Sequence, residues 1–349
     1  MNHAKAVLLP FLRDSAEERA FATACGIRLD ISRQRLSASD FDRLLEVAEK
    51  KGLKAAFARM VQGDIVNLSE GRAALHTSLR SWDSKAPHFE EVSRERERIF
   101  SFATWVREGR WRGCRGDKIT DVINVGIGGS EMGPRAVWHA LRPARPDIHL
   151  HFLSSVDGVL LERTLAECNP RSTLVIVSSK SFTTRETQVN AAAVDQWLLD
   201  SGIVGADRAK HMVVVSANPQ APDIMCLPPQ NFFHLWDWVG GRFSVWSAIG
   251  LPLAIGLGAD AFREFLQGAN EMDRHALDAP VEANLPALLA LAAYWNATRL
   301  EITSHCLLPY DERLRVTVPW LQQLEMESLG KNHTPEGLRI PGHTGLGVW

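Results

Sequence analysis

Between residues 117 and 216 the sequence alternates short Val/Ile-rich runs with longer stretches of helical periodicity, and this pattern narrows the fold more than any other feature. The apolar runs lie near 121–125, 149–153, 173–178 and 211–216. Helical patterns over 133–141, 158–167 and 184–200 separate them. Continuous apolar strands, buried on both faces and joined by helices, predict an α/β fold: an αβα sandwich around a doubly wound parallel sheet. Such sheets gather ligands at the carboxyl ends of their strands, which directs attention to the turns after Val125 and Val177.

The flanking regions have a different texture. The first 116 residues read as mostly helical. Ser39 followed by Asp42 is a capping-box-like start for a helix over 41–50, with Gly52 as its stop. Phe89, Val92, Ile99, Phe102 and Val106 recur at helical spacing, predicting one long amphipathic helix that ends at the Gly109–Gly116 stretch. Residues 231–277 are rich in tryptophan and then helical. Asp278–Pro286 reads as a linker, which places a first α/β unit at 117–280 and the beginning of another at 281–349. In that last part the pattern predicts a helix over 287–300, an extended run over 303–308, a helix over 319–330 and a glycine-rich extended tail.

Composition removes several function classes. A formal net charge of -2, with no basic tract, argues against a nucleic-acid partner or a charged membrane surface. No apolar run reaches the roughly 18 residues of a membrane span, and no basic-then-apolar leader pattern opens the chain. Five scattered cysteines without a CxxC pair predict a reduced, cytoplasmic protein with no zinc knuckle.

Four stretches can carry chemistry. The first, Asn124-Val-Gly-Ile-Gly-Gly-Ser-Glu-Met-Gly-Pro134, follows a strand and opens a helix. Glu131 occupies the third-glycine position of a dinucleotide fingerprint, and no Gly-Lys-Ser/Thr ends the loop. The backbone N–H groups of Gly128, Gly129 and Ser130 remain as a cradle for a small phosphate, with a ligand-free turn as the alternative. The second, Ser178-Ser179-Lys180-Ser181-Phe182-Thr183-Thr184, combines hydroxyls, an ammonium and a helix N-terminus. A solvated helix cap would have the same composition. In the third, Gly240 and Gly241 precede Arg242, so the backbone can approach a ligand beside a fixed positive charge; a surface turn is the alternative. In the fourth, Gln323 and Glu327 share one face of a helix, where Glu327 is either a general base or a solvated carboxylate.

Together these stretches, with Asn67-Leu-Ser-Glu-Gly-Arg-Ala-Ala-Leu-His-Thr-Ser-Leu-Arg80, resemble the glucose-6-phosphate isomerase family in order and approximate spacing over nearly the whole chain. The resemblance implies two sugar-isomerase αβα sandwiches, of which 281–349 holds an incomplete second one. It implies interconversion of glucose 6-phosphate and fructose 6-phosphate, in glycolysis and gluconeogenesis, through a cis-enediol(ate). By the same resemblance Glu327 is the base and Arg242 stabilises the enediolate. Gly129, Ser130, Phe182, Thr183, Gly241 and Gln323 contact the substrate, and Ser179, Lys180, Ser181 and Thr184 cradle its phosphate. No cofactor or metal is implied, and the partners are a hexose 6-phosphate and a second copy of the chain.

The family's ring-opening histidine and lysine match positions past Trp349, and neither His333 nor His343 stands in their place. The expectation is therefore a fragment or truncated chain that holds the enolising groups and is impaired or inactive on cyclic sugar. A non-catalytic sugar-phosphate-binding module of the same fold is the alternative.

Overall fold

The computed structural model describes residues 21–68, 70–334, 337–341 and 344–349. The leader reading of the first 20 residues, Ser69 of the Asn67–Arg80 stretch, and His343 lie outside the described residues, as does Gly342 of the glycine-rich tail.

The described chain opens with an antiparallel hairpin, β1 (Phe21–Ala24) and β2 (Ile27–Asp30), in the region expected to be mostly helical. Its turn is Cys25-Gly26, both in the left-handed region at φ 51° and 73°, which suits a two-residue hairpin. Helix α1 (Ala38–Lys50) follows. Its capping box uses Ser37 and Asp40 rather than Ser39 and Asp42, two residues earlier than expected. Gly52, left-handed at φ 64°, does separate α1 from α2 (Leu53–Gln62). The long amphipathic helix is α3 (Phe89–Arg107), with Val92, Ile99, Phe102 and Val106 buried.

The central sheet contains β3 (Asp121–Val125), β4 (His149–Leu153), β5 (Thr173–Ser178), β6 (Met212–Ser216) and β7 (Phe232–His234). All neighbours are parallel, in the order β4-β3-β5-β6-β7. The first four agree with the Val/Ile runs; β7 is an additional edge strand in the tryptophan-rich segment. The crossovers include α4 (Met132–Leu141), α5 (Gly158–Glu167), α6 (Arg185–Asp200) and the single-turn α7 (Ala221–Ile224).

Alternate strand residues bury into two separate layers, as a pleat requires. Val122, Leu174, Ile176, Val213 and Val215 pack with Ile99, Phe102 and Val106 of α3 and with α8 (Leu251–Leu257). Ile123, Val125, Val175, Val177 and Val214 pack with Ala191, Val194 and Leu198 of α6. These strand side chains have no solvent exposure, so each contributes about 1.5–3 kcal/mol through burial.

Beyond α9 (Ala259–Asp278) the expected linker is a short 3-10 turn, Val281–Ala283, leading into α10 (Leu285–Arg299). Asn284 caps α10 through the N–H of Ala287. Leu288, Leu291 and Ala292 of α10 then pack on Phe41, Leu44 and Ala48 of α1, joining early and late parts of the chain. The extended run expected over 303–308 shrinks to β8 (Ser304–His305), which pairs in parallel with β9 (Gly347–Val348). Between them, α11 (Thr317–Gln322) passes directly into a π-helical segment, Gln323–Glu327.

Candidate active site

The first two loops are built as one unit at the carboxyl ends of β3 and β5. Asn124 lies on β3 with no exposure. Its Nδ2 donates to the Ser130 carbonyl at 3.0 Å, and its Oδ1 accepts from Ser178 Oγ at 3.1 Å. This one side chain therefore fixes the return of the Gly126–Ser130 loop against the end of β5. Gly126 is needed for the approach: a Cβ there would stand 3.0 Å from the Ser178 carbonyl. Glu131, the residue that spoils the dinucleotide pattern, is buried at the start of α4, 2.9 Å from Arg135 Nε. Burial raises its pKa, against the opposing charge of Arg135.

A cleft of about 390 Å³ opens beside these loops. It brings Gly129, Ser130, Ser179, Lys180, Ser181, Thr184 and Gly241 together. Ser179 Oγ accepts from the Phe182 N–H at 3.2 Å, while Ser181 and Thr183 share a 2.7 Å hydroxyl contact. Phe182 has φ 58°, and its ring is buried in the core layer under α6, so it shapes the turn from beneath. Thr184 is the residue from which α6 springs, and its side chain makes no cap hydrogen bond.

Lys180 is held more firmly than a free phosphate-binding ammonium. Its Nζ donates to the carbonyls of Asp237 at 2.7 Å and Val239 at 2.9 Å. Burial, followed by the charge of Arg72, lowers its pKa. Arg72 itself lines the cleft, 3.5 Å from Asp237 Oδ1, with Glu70 and Thr187 also present. Reasoning from sequence assigned no role to Arg72, Glu70, Thr187 or Asn124; Arg72 was visible only as a member of the Asn67–Arg80 stretch.

The third loop closes on the first. Ser244 Oγ donates to the carbonyls of Gly241 at 2.6 Å and Gly129 at 3.2 Å. Arg242 extends to the π-helical segment: Nη1 meets Glu327 Oε1 at 3.0 Å and Nε donates to Ser328 Oγ at 2.7 Å. Trp320 Nε1 donates to the Arg242 carbonyl at 3.1 Å, fixing its backbone. The Arg242 guanidinium also lies 5.1 Å from the centre of the Phe243 ring, which stacks on His76. Burial, then the charges of Arg80 and Arg242, press the pKa of His76 down to about 3. Gln323 projects its Nε2 towards Gly128, 3.5 Å from where a Cβ would be, and its buried Oε1 has no hydrogen-bond partner.

A π-helical turn is rare and often marks a functional position in a helix. Here it joins Gln323 at the first loop to Glu327 at Arg242. Residues of the first three stretches line the cleft, whereas Phe182, Thr183, Arg242, Gln323 and Glu327 are not among its lining residues, and the fourth stretch is tied to the third through the Arg242–Glu327 contact.

A parallel αβα sheet with a glycine-rich turn and a hydroxyl-rich turn side by side at its carboxyl edge, and an arginine–glutamate pair on the adjoining loop, defines a protein of the sugar-isomerase type. The phosphoglucose isomerase family model matches residues 30–349, and the chain belongs to that family. It is 43% identical over 335 residues to the glucose-6-phosphate isomerase of Paraburkholderia xenovorans, and 44% over 333 residues to that of Burkholderia ambifaria. These matches cover 96% and 95% of this chain, which spans 62% of the length of either relative. Among solved structures, a glucose-6-phosphate isomerase from Chlamydia trachomatis superposes with a TM-score of 0.87 at 30% identity, covering 97% of this chain and 65% of that one. A hypothetical protein from Thermus thermophilus superposes at 0.67 with 28% identity, over 89% of this chain and 66% of its own.

Proposed function

We propose that the cleft binds a hexose 6-phosphate and moves a proton between its C1 and C2, interconverting glucose 6-phosphate and fructose 6-phosphate. The observation that carries this reading is the 3.0 Å contact of Arg242 Nη1 with Glu327 Oε1, made by the residue that follows Gly241 of the cleft wall. The side chain of Glu327 is half exposed, so an incoming substrate can reach its carboxylate.

The phosphate lies among Ser179, Ser181, Thr183 and Thr184, with the start of α6 adding favourable N–H dipoles. Lys180 keeps the Asp237–Gly241 segment in place and adds positive charge from below. Remote phosphate binding then positions the reacting carbons. Gly129 and Ser130, with Gly241 and Gln323, border the sugar. Glu327 removes the proton from one carbon and returns it to its neighbour. Arg242 stabilises the negative charge that develops on oxygen in the enediolate, and its guanidinium stays protonated throughout.

The same reading assigns a glycolytic and gluconeogenic role, a division of the chain near residues 116 and 280, and a homodimer. The exposed apolar side chains Leu308, Tyr310 and Trp349 support association with further polypeptide. Five free cysteines support a cytoplasmic location. Among the described residues no helix is long and apolar enough to cross a membrane.

The test is hydrogen exchange. Fructose 6-phosphate incubated with the protein in D2O takes up deuterium at C1 if enolisation occurs, whether or not ring opening is accelerated. Absence of exchange together with absence of sugar-phosphate binding would overturn the reading.

A further inference from the structure

At the other end of β3 from the cleft, three side chains of different chemistry converge. Asp121 is the first residue of β3, His151 lies in the middle of β4, and Cys168 ends α5. The carboxylate oxygen, an imidazole nitrogen and the sulfur all lie within 4.8 Å of one another. Cys168 is buried, and the side chains of Asp121 and His151 are mostly so.

We infer that Asp121 Oδ1, His151 Nε2 and Cys168 Sγ form a binding site for a divalent transition metal of the zinc class. Carboxylate, imidazole and thiolate are a donor set that zinc and cobalt accept, with water completing a tetrahedron. His151 Nε2 and Asp121 Oδ1 are 3.0 Å apart, close to the about 3.3 Å separating two ligands on a tetrahedral ion with bonds near 2.0 Å.

The surroundings are arranged as the outer partners of a metal site usually are. His151 Nδ1 faces Glu167 Oε2 at 3.5 Å, so the ring can present Nε2 to a metal while Nδ1–H points to a carboxylate. Thr120 Oγ1 donates to Asp121 Oδ2 at 2.7 Å and is itself 3.0 Å from Ser172 Oγ, so Oδ1 is the oxygen that faces His151, and a metal would replace the Nε2–Oδ1 hydrogen bond with two metal–ligand bonds. On binding, the Cys168 S–H proton leaves to solvent as a metal–sulfur bond forms, and the imidazole coordinates through an unprotonated nitrogen.

No sequence motif announces the site, because its three residues are spread over three elements and spaced unlike any zinc knuckle.

Cobalt(II), which reports on zinc sites by its colour, is the probe. The full chain, stripped with a chelator and titrated with Co²⁺, should take up one equivalent, with a near-ultraviolet thiolate-to-cobalt band and tetrahedral visible bands that Zn²⁺ bleaches. Cys168→Ser should abolish the ultraviolet band. Glu167→Gln, which alters only the outer partner, should weaken binding about 10- to 100-fold. Circular dichroism of each variant establishes that it is folded, and His151→Gln serves in place of Cys168→Ser if that variant is not. A wild-type titration without the thiolate band, or a band that survives both Cys168→Ser and His151→Gln, overturns the assignment.

Discussion

The backbone of Gly129 approaches the carbonyl of Gly241 so closely that a Cβ on Gly129 would stand 2.1 Å from the oxygen and 2.2 Å from its carbon. Both neighbours are backbone, so no side chain can swing away to make room. Gly129→Ala must therefore separate the first loop from the loop that carries Arg242. The expected result is a stability loss of about 1–3 kcal/mol, read by urea denaturation, accompanied by weaker sugar-phosphate binding. A Gly129→Ala protein with unchanged affinity would show that the contact between the loops does not shape the cleft.

Glu327→Gln keeps the size of the side chain and a hydrogen-bond acceptor for Arg242, but removes the base. Deuterium uptake into fructose 6-phosphate should fall about 10²- to 10⁴-fold while binding persists. Undiminished exchange would sink the base assignment. Retained binding with no exchange in the unaltered chain as well would favour a binding module.

Lys180 and Arg72 should separate in mutagenesis. Lys180→Met removes two hydrogen bonds to the Asp237–Val239 backbone, so it should lower thermal stability as well as phosphate affinity. Arg72→Ala removes a more exposed cation whose partners Glu70 and Asp237 are themselves open to water, so it should weaken phosphate binding with little change in melting temperature. Calorimetric titration with inorganic phosphate and a thermal melt distinguish the two; equal stability losses would contradict the strut role of Lys180.

His76 predicts a pH dependence of folding. Its folded pKa lies near 3 and its unfolded value near 6.5. The unfolded chain therefore binds one more proton between these values, so the contribution is complete above pH 6.5 and is lost as pH falls towards 3. Between pH 6.5 and 5 the loss is about 1.6 kcal/mol. His76→Asn should lower stability at pH 7 but flatten this slope, measured by denaturant unfolding at several pH values. An unchanged slope would show that another group dominates.

The parallel sheet is legible in the sequence because strands covered on both faces read as unbroken apolar runs, and Thr173–Ser178 is such a run. The capping box lies two residues before the expected one because Ser37/Asp40 and Ser39/Asp42 have the same spacing, and local spacing does not distinguish them. The hairpin at Cys25-Gly26 lacks the Asn-Gly or Asp-Gly pair that usually announces such a turn. The chemical residue types of the cleft stand out by their loops, but the duties of Asn124 and Arg72 arise from contacts between segments, which local spacing does not encode.

The π-helical turn over Gln323–Glu327 carries one consequence beyond its own geometry. It is a helix with one residue more than its hydrogen-bond ladder would choose. Deleting a single residue between Gln323 and Glu327 would let the backbone relax into an ordinary α-helix and turn Glu327 by some tens of degrees relative to Gln323. The shortened helix would be more regular, yet its carboxylate would turn away from Arg242. At this point in the chain the most comfortable backbone and the most useful one are different lengths.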